Sequence, residues 1–478
     1  MPFDKVELMQ TLTKHAKQII ANERERYLAL HPTSIVLSKR ANAHFLYGVP
    51  MHWMNDWGTP VPLFVAQANG AHFTCADNVD YTDFCLGDTG AMFGHSPPAA
   101  VKAIAEQANK GFTAMLPSTL APNMGEVLSD FFSLDYWQLA TTATDANRFV
   151  LRWARAVTNR KKVLVFDGCY HGTVDDAMVD YTMRDDALRD MTMGDDTRLN
   201  VVDGKTINRA SLLGQVQDLT LHSVAIPFND LAAVERELAK GDIAALFTEP
   251  ALTNCGMVLP QVGFIQGLRA LCTKYNSLLI LDETHTISTA RGGWAKANNI
   301  TPDFLVVGKP IAGGLPAAAY GFSAQMATRM QAAKDSAPAG HSGIGTTLSG
   351  NMMTLAAIHA TLTEVATEDA YTHMLALAGL LEQQLIASLK AHNLPWNISR
   401  MGARLELQFC EIPPSNAAQA RDAQNDTVES AIHLYLLNRG VLLTPFHNMM
   451  LVCPATTQKD INKLVQTFNE CLTTLISS

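Results

Sequence analysis

Two short apolar runs of the sequence each end in a side chain that can do chemistry. The first, Leu278–Leu281, is followed directly by Asp282, and the second, Phe304–Val307, is followed after one glycine by Lys309. Such runs are typical of strands buried on both faces of a mainly parallel sheet. Because ligands of open α/β sheets bind beyond the carboxyl ends of strands, we expect Asp282 and Lys309 to meet there. The lysine could hold a carbonyl compound as an imine, while the aspartate steadies a positive charge elsewhere on the ligand.

The acid and the amine indicate more together than either does alone. Separately, Asp282 could begin a loop, and Lys309 could stand in solvent in a Gly-Lys-Pro turn. An aspartate about 4 Å from a protonated pyridine nitrogen gains about 4 kcal/mol at an effective dielectric constant of roughly 20. This equals about 3 pK units, enough to keep such a nitrogen protonated at neutral pH. A protonated pyridine ring is the electron sink that pyridoxal 5'-phosphate (PLP) chemistry requires.

Hydroxyl-bearing residues precede two predicted helices. Thr142, Ala143 and Thr144 lead into a strongly amphipathic segment. Free N–H groups and the positive end of the helix dipole make such a start an anion site, and the small Ala143 lets the backbone approach closely. The alternative is an ordinary N-cap, in which Thr142 and Asp145 form a capping box. The segment around Thr347, before a second helix, has the same two interpretations.

Two further strand ends carry groups that could contact a ligand. Tyr170 and His171 follow the predicted strand Val163–Phe166. Tyr170 could stack on a flat ring or only pack on the core, and His171 could be a base or a structural histidine. Glu249 follows the predicted strand Ala244–Phe247, where it could contact the site or face solvent.

The composition favours a globular protein of two or three domains without a nucleic-acid partner. The chain has 478 residues and a net charge of −9, whereas phosphate contacts need a basic footprint. The N-terminal thirty residues carry charges throughout, unlike a signal peptide, and no apolar run approaches the ~20 residues that span a bilayer. The eight cysteines show no metal-ligand spacing. We therefore expect free thiols in a reducing cytoplasm, no metal site and no membrane association.

The elements that must position these residues fall into separate regions. From about residue 127 to 345, strand-like runs alternate with amphipathic helices, which predicts an α/β domain with a parallel core. Beyond residue 351 the pattern predicts a separate α+β unit. A helix is predicted from Asp4 to about Leu30, and the sequence leaves open whether it packs on its own domain or on a partner subunit. The polar segment Asp185–Gly214 fits neither pattern and is either an excursion or a lid.

Taken jointly, a series of short motifs matches one family. The chain resembles the class III, fold-type I, PLP-dependent aminotransferases over about residues 62–475, with most similarity to the branch of glutamate-1-semialdehyde aminomutase and several β- and D-amino acid aminotransferases. In chain order the motifs are Gly94-His95, Thr142-Ala143-Thr144-Asp145-Ala146, Tyr170-His171-Gly172, Glu249-Pro250, Leu281-Asp282-Glu283, Gly308-Lys309, Gly313-Gly314-Leu315-Pro316 and Thr347-Leu348-Ser349-Gly350-Asn351.

The resemblance implies a role for each of these positions. Lys309 matches the Schiff-base lysine that later carries the proton at the substrate carbon, and Asp282 matches the acid on the pyridine nitrogen. Tyr170 matches the aromatic that stacks on the ring. Thr347 matches a residue that reaches the phosphate of the neighbouring subunit, which implies a homodimer with active sites at the subunit interface. The other positions expected around the cofactor are Thr142, Ala143 and Thr144 as phosphate cup, with His171, Glu249, Thr284 and His285.

The chain departs from the family pattern between its acid and its lysine. Where the family usually has valine after the Asp-Glu pair, this chain has Thr284, followed by His285. The common Gly-Phe-Arg that comes next is replaced by Ile287–Thr289. Ala143 also replaces a glycine of the phosphate cup. We expect a changed polarity around the ring but the same central chemistry.

The substrate side shows no obvious carboxylate-binding arginine. The stretch Thr444–Asn448 lacks one where some β-amino acid relatives carry it, and Arg404 is either a substitute or a structural residue. Trp53 and Trp57 stand in an irregular, proline-rich segment and are either pocket walls or plugs on a core. With Phe446 they suggest a substrate with a bulky apolar part.

These observations lead to one fold and two main functions. We expect a fold-type I α/β domain with a mainly parallel seven-stranded sheet and a smaller α+β domain from both termini. The expected bounds are 1–45 for an N-terminal helical extension, 46–92 and 349–478 for the smaller domain, and 93–348 for the PLP domain. The favoured activity is amino transfer between an amino donor and a keto acceptor, and the alternative is an aminomutase or racemase. A PLP-binding regulator is disfavoured, because the roughly 45 N-terminal residues are too few and not basic enough to bind DNA.

Overall fold

A computed structural model describes residues 5–182 and 204–477. The predicted helix start at Asp4 and the part of the Asp185–Gly214 segment up to residue 203 lie outside this range. The chain divides into two compact units. The first comprises residues 1–103, 363–413 and 423–478, and the second comprises residues 104–362 and 414–422.

The strands and helices carry the following labels. In chain order the strands are β1 Val65–Asn69, β2 His72–Cys75, β3 Asp80–Asp83, β4 Tyr136–Ala140, β5 Lys162–Phe166, β6 Val179–Thr182, β7 Lys205–Asn208, β8 Ser223–Ile226, β9 Ile243–Thr248, β10 Leu278–Asp282, β11 Phe304–Val307, β12 Ala318–Phe322, β13 Asn397–Met401, β14 Arg404–Gln408, β15 Val441–Leu442 and β16 Met450–Leu451. The α-helices are α1 Lys5–Leu30, α2 Pro32–Ala41, α3 Pro98–Ala108, α4 Ala121–Phe132, α5 Ala143–Thr158, α6 Leu231–Leu238, α7 Phe264–Lys274, α8 Gly293–Ala297, α9 Ala324–Asp335, α10 Met352–Ala360, α11 Glu368–Ala391, α12 Ala417–Asp422, α13 Asp426–Leu437 and α14 Gln458–Ser477.

The second unit is built on a seven-stranded sheet of order β4-β12-β11-β10-β9-β5-β8. β12 runs antiparallel to both of its neighbours, and the other pairings are parallel. All residues of β9, β10 and β11 are buried, as expected for central strands covered on both faces. This confirms the predicted fold class, and it places the carboxyl ends of β10 and β11 side by side.

Helix α5 connects β4 to β5, two strands of this sheet. Its buried face includes Phe149, Val150 and Ala154, which recur at helical spacing and pack against the sheet. Thr142 is its N-cap and accepts a hydrogen bond from the N–H of Asp145 at 3.2 Å. The helix start is therefore fixed at the edge of the sheet where β4 ends.

The first unit contains two smaller sheets and the N-terminal helix. One sheet has the order β1-β2-β3-β15 and the other has the order β13-β14-β16. Helix α1 packs against α13 and α14 of the same unit. Tyr27 of α1 is fully buried in a cluster with Phe73, Tyr81 and Leu434. The question that the sequence left open is thus answered, since α1 packs within its own unit.

The unit bounds differ somewhat from the domain bounds expected at residues 93 and 349. The chain passes from the first unit to the second after residue 103, within helix α3, and it returns to the first unit after residue 362.

All eight cysteines are free, and all but Cys410 are buried. No helix within the described ranges is long and apolar enough to cross a membrane.

Candidate active site

The acid and the amine lie at the carboxyl ends of adjacent central strands. Asp282 is the last residue of β10 and stands opposite Val306 of β11. β11 ends one residue later, and Gly308 then leads to Lys309. Two buried strands in parallel register therefore deliver both groups to one edge of the sheet, as the sequence predicts.

Asp282 is held by donors from three parts of the chain. Its Oδ2 accepts hydrogen bonds from Asn147 Nδ2 at 2.8 Å and from His171 Nδ1 at 3.0 Å. Its Oδ1 accepts from the backbone N–H of Thr284 at 3.0 Å. Asn147 also donates to the carbonyl oxygen of His171 at 3.1 Å. The carboxylate is only 3% exposed, so these bonds replace its lost hydration.

The electrostatics of this group favour a permanent negative charge. Burial alone would raise the pKa of Asp282, but the hydrogen bond and charge of His171, with Thr284 and Asn147, lower it to about 2. Burial likewise disfavours a charged His171, yet the bond to Asp282 outweighs it and raises the pKa of His171 to about 10. The imidazole also stacks on Phe247, with ring centroids 3.7 Å apart. His171 is therefore held between Asp282 and Phe247.

Asn147 is a site residue that the sequence analysis missed. It lies on helix α5 three residues before Val150 and seven before Ala154, which places it on the buried face. A polar residue on the apolar face of an amphipathic helix was the available signal. What it bonds depends on the packing of α5 against β10, which local pattern does not reveal.

Lys309 occupies a strained and less buried position. Its φ is +48°, in the left-handed region that non-glycine residues rarely adopt, and it begins the 3₁₀ turn Lys309–Ala312. Gly308 comes before it, and a Cβ there would lie 2.9 Å from Cβ of Ala143. The side chain is half-buried, and its Nζ lies 2.8 Å from Nε2 of His285. The amine is thus presented at the loop end by close packing of the backbone behind it.

The loop ends around the start of α5 also fit closely. Thr144 Oγ1 accepts from the N–H of Thr173 at 3.2 Å. A Cβ on Gly172 would lie 2.0 Å from Thr144 Oγ1, so only glycine allows this approach. Thr142 does form the predicted N-cap with Asp145, but capping leaves other N–H groups of the first turn without intrahelical partners. The N-cap is therefore observed, and it is compatible with the predicted anion site, which stays a prediction.

Tyr170 and Glu249 lie beside the Asp282 network. Glu249 is buried and accepts hydrogen bonds from Thr253 Oγ1 and, at 3.5 Å, from the N–H of Tyr170. Burial raises the pKa of Glu249 to about 7, although His171 and Thr253 oppose this. Tyr170 is half-buried. Of the two interpretations of Glu249, the structure favours contact with the site region over exposure to solvent.

The remaining candidates of this unit differ in burial. Thr284 and His285 are buried, and within the described residues Thr284 Oγ1 has no hydrogen-bond partner. Thr347 is exposed in a turn, where the neighbouring Thr346 Oγ1 lies 3.4 Å from Thr141 Oγ1.

The four substrate-side candidates belong to the first unit. Arg404 is buried and pairs with Glu406, with Nη2 3.1 Å from Oε1, and with Asp88 at 3.5 Å. Trp57 is half-buried, packs against the Tyr27 cluster and contacts the ring of His433 edge-on. Trp53 and Phe446 are 45% and 47% exposed. The geometry of Arg404 and Trp57 thus supplies a structural role for each.

Comparison with known proteins shows which family and which solved structures this chain is similar to. Residues 53–472 match the family model of class-III aminotransferases. Glutamate-1-semialdehyde 2,1-aminomutase of Anaeromyxobacter sp. (strain Fw109-5) is 32% identical over 389 residues, which covers 80% of this chain and 84% of that protein. A crystal structure of a glutamate-1-semialdehyde aminomutase from Pseudomonas aeruginosa PAO1 is 44% identical, with a TM-score of 0.91 over 97% of this chain and 99% of that chain. A β-phenylalanine aminotransferase from Variovorax paradoxus, at 22% identity and a TM-score of 0.81, shares the fold.

The residues at the strand ends fit the cofactor of these enzymes. A variant of the Pseudomonas protein was solved in complex with PMP. PLP carries an aldehyde, a pyridine nitrogen and a phosphate. In this chain Lys309 offers an amine, Asp282 a negative charge, and α5 a helix start whose Thr144 lies in close contact with Gly172. A helix start is a favourable place for a phosphate. Among the described residues no group of His, Cys, Asp or Glu could hold a metal ion.

Proposed function

Because the chain belongs to the class III aminotransferase family of fold-type I PLP-dependent enzymes, we propose that it moves an amino group within one substrate, as an aminomutase does. The observation that carries this proposal is the 44% identity to the Pseudomonas aminomutase over nearly the whole of both chains. The sequence alone favoured transfer between two substrates and kept the isomerase as the alternative. The relatives support the alternative better.

The residues at the two strand ends divide the work. When bound, PLP supplies a protonated ring that withdraws electrons from the substrate carbon. Asp282, whose charge His171 and Asn147 stabilise, would hold the protonated ring nitrogen. Lys309 would hold the cofactor through Nζ and would act as the base that takes a proton from the substrate and returns it at a neighbouring position. Tyr170 would lie against the ring, and Thr142–Thr144 would hold the phosphate.

The first substrate to test is the one that the relatives' names give. We propose an amino carbonyl compound of the type of glutamate-1-semialdehyde. The loaded enzyme should convert it, without a keto-acid co-substrate, into the isomer whose amino group has moved from carbon 2 to carbon 1. Product would be followed by NMR, with Lys309→Ala as the inactive control. A stall after one half-turnover, relieved only by a keto acid, would contradict the aminomutase proposal.

The exposed aromatic residues favour a second candidate, an aminotransferase for a bulky apolar amine. Trp53 and Phe446 both present large side chains to solvent in the first unit. This candidate predicts that aromatic or long-chain donors convert the cofactor faster than small dicarboxylates, and that an aldehyde or keto acid restores it. A donor panel followed by absorbance measures this directly, and a preference for dicarboxylates would exclude it.

We further propose that the active unit is a homodimer in which Thr347 serves the neighbouring site. Thr347 is exposed, as a residue that reaches another subunit must be. Lys309→Ala and Thr347→Ala proteins would be mixed, unfolded and refolded together. If Thr347 acts across the interface, each mixed dimer contains one complete site and activity returns. If it acts in its own site, mixing restores nothing.

A further inference from the structure

A histidine of the loop after β10 lies against the reactive amine. His285 is 7% exposed, and its Nε2 is 2.8 Å from Nζ of Lys309. It stands just before the 3₁₀ turn Thr286–Thr289, and its carbonyl oxygen accepts from the N–H of Ser288 at 3.3 Å. The preceding Glu283 carbonyl accepts from Ile287 at 2.9 Å, so the turn is tied at two points. The backbone that carries His285 is therefore held by the turn, and its side chain is buried.

The chemistry of the two groups fixes the direction of their hydrogen bond whenever the lysine is charged. An ammonium group has three donors and no acceptor, so Nε2 of His285 must accept from Nζ. A hydrogen bond from a charged donor is roughly twice as strong as one between neutral groups. The contact therefore stabilises the protonated amine more than the neutral amine.

We propose that His285 is a further catalytic residue, which holds the proton-bearing Nζ of Lys309 through Nε2 and thereby strengthens this lysine as the base that takes the substrate proton. This rests on the proposed role of Lys309 in amino-group transfer. In the step, the C–H bond of the substrate breaks and its electron pair stays on the substrate. The proton joins the lone pair of Nζ, and an N–H of the new ammonium is donated to Nε2 of His285. No proton leaves for the histidine, and no other reactant is needed.

This arrangement helps the transition state more than the starting state. The amine is neutral before the transfer and gains positive charge during it, so the hydrogen bond to His285 strengthens as the barrier is crossed. The same bond keeps the proton on Nζ at a fixed place, from which the lysine returns it to the substrate. Keeping the proton on Nζ suits an intramolecular amino-group transfer, in which the same base removes a proton from the substrate and later returns it.

The first test needs neither substrate nor cofactor. The full chain without PLP would be labelled with trace acetic anhydride at one fixed pH near neutrality, and acetylation of Lys309 Nζ would be quantified by mass spectrometry. Loss of the acceptor in His285→Phe should increase the acetylation of Lys309 by about 5-fold, because the hydrogen bond that favours the unreactive ammonium form is gone. His285→Gln keeps an acceptor oxygen, and in this variant acetylation should increase less.

Controls separate this effect from disturbance of the loop. Ser288→Ala changes another buried side chain of the same turn, whose hydroxyl has no hydrogen-bond partner in the part of the chain described. Lys296, which donates to the carbonyl of Phe131 at 2.9 Å, serves as an internal reference in every sample. The other ionisable groups of the loop, Asp282 and Glu283, make hydrogen bonds that involve neither His285 nor Ser288, so we expect these bonds to persist in each variant. Unchanged acetylation of Lys309 in His285→Phe, or an equal increase in Ser288→Ala, would overturn the proposal.

The second test uses the loaded enzyme. His285→Phe should lower kcat about 100-fold, within the range of proton-transfer assistance, with KM little changed. The isotope effect of substrate deuterated at the reacting carbon should rise, because proton transfer becomes slower than the other steps. His285→Gln should recover part of the loss. If the aminomutase assay shows no activity in any protein, the labelling experiment still tests whether His285 stabilises the ammonium form of Lys309. The rates of His285→Phe and the unmodified chain can then be compared in a half-reaction with an amino donor.

Discussion

Asp282 and Lys309 end neighbouring strands, but the chain holds them in opposite ways. Asp282 belongs to the strand itself, is almost fully buried, and accepts hydrogen bonds from His171, Asn147 and the Thr284 backbone. Lys309 lies beyond its strand, is half-buried, and has a left-handed backbone. One end of the site is thus a buried side chain held by three donors, whereas the other combines a left-handed backbone with the contact of Nζ to His285 Nε2 at 2.8 Å.

The difference matches the two tasks that we assign. A charge that must stay constant through a reaction works best when its surroundings are already organised, so that nothing needs to reorient. A proton carrier must reach two positions in turn, which a flexible four-carbon side chain on a rigid turn allows. We therefore expect substitutions at the amine end to affect the chemistry, and substitutions at the acid end to affect both the chemistry and the fold.

The largest effect is expected at the amine end. Lys309→Ala should reduce turnover by at least about 10³-fold and abolish the absorbance of covalently bound cofactor, because no other group replaces the amine. Its melting temperature without cofactor should stay near that of the unmodified chain, since the side chain is only half-buried. Lys240→Ala, at an exposed lysine paired with Glu237, is the control. Retained absorbance and turnover in Lys309→Ala would refute the assignment.

Part of this comparison follows from sequence and part does not. Asp282 and Lys309 could be predicted because a short apolar run and its last residue are local features, and the ends of parallel strands share an edge. Asn147 and His171 reach Asp282 from 135 and 111 residues away in the chain. Such contacts depend on how α5 packs against β10 and on the strand order that places β9 between β5 and β10, neither of which periodicity fixes. The same holds for the contact of His285 with Lys309, although the unusual histidine itself was visible.

The first unit shows the same limit. The α1 helix could be predicted, but its packing on α13 and α14 requires contacts across more than 400 residues of chain, such as Asn438 Nδ2 donating to Glu23 Oε2 at 2.8 Å. Arg404 looked equally suited to a substrate carboxylate or to a structural pair. Side chains alternate between the two faces of a strand, so Glu406 lies on the same face of β14 as Arg404, two residues earlier. There its carboxylate pairs with the guanidinium of Arg404.

A smaller effect on turnover is expected at the acid end. Asp282→Asn keeps the size of the side chain but removes the charge that holds a ring proton, worth about 3 pK units. We expect kcat to fall about 100- to 1000-fold while the cofactor still binds Lys309, seen as retained absorbance. Asp167→Asn is a matched control, because Asp167 is also buried after a strand of the same sheet and pairs with Arg421 at 2.6 Å. Equal loss of turnover in both variants would show that the effect is structural.

The smallest effect is expected in the pH dependence of the free energy of unfolding. It is also the most specific test of the contact between Asp282 and His171. Asp282 has a pKa lowered to about 2, so its contribution to folding is present above its unfolded pKa of about 3.9 and is lost as the pH falls below that. His171 has a raised pKa, so its contribution is complete below its unfolded pKa of about 6.5 and is lost as the pH rises above it. The pair therefore stabilises the fold most between these two unfolded values.

His171→Gln tests this window, because glutamine can still donate to Asp282 but cannot carry a charge. We expect the free energy of unfolding to fall by about 2 kcal/mol near pH 6, the range of a hydrogen bond to a charged group. The difference between the two proteins should shrink as the pH rises from about 6.5 towards 9, because the unfolded chain then loses its histidine proton whereas the folded chain still binds one. Urea unfolding at both pH values measures it. A difference that stays constant with pH would mean that His171 is neutral in the folded protein, and that Asn147 and the Thr284 backbone alone keep Asp282 charged.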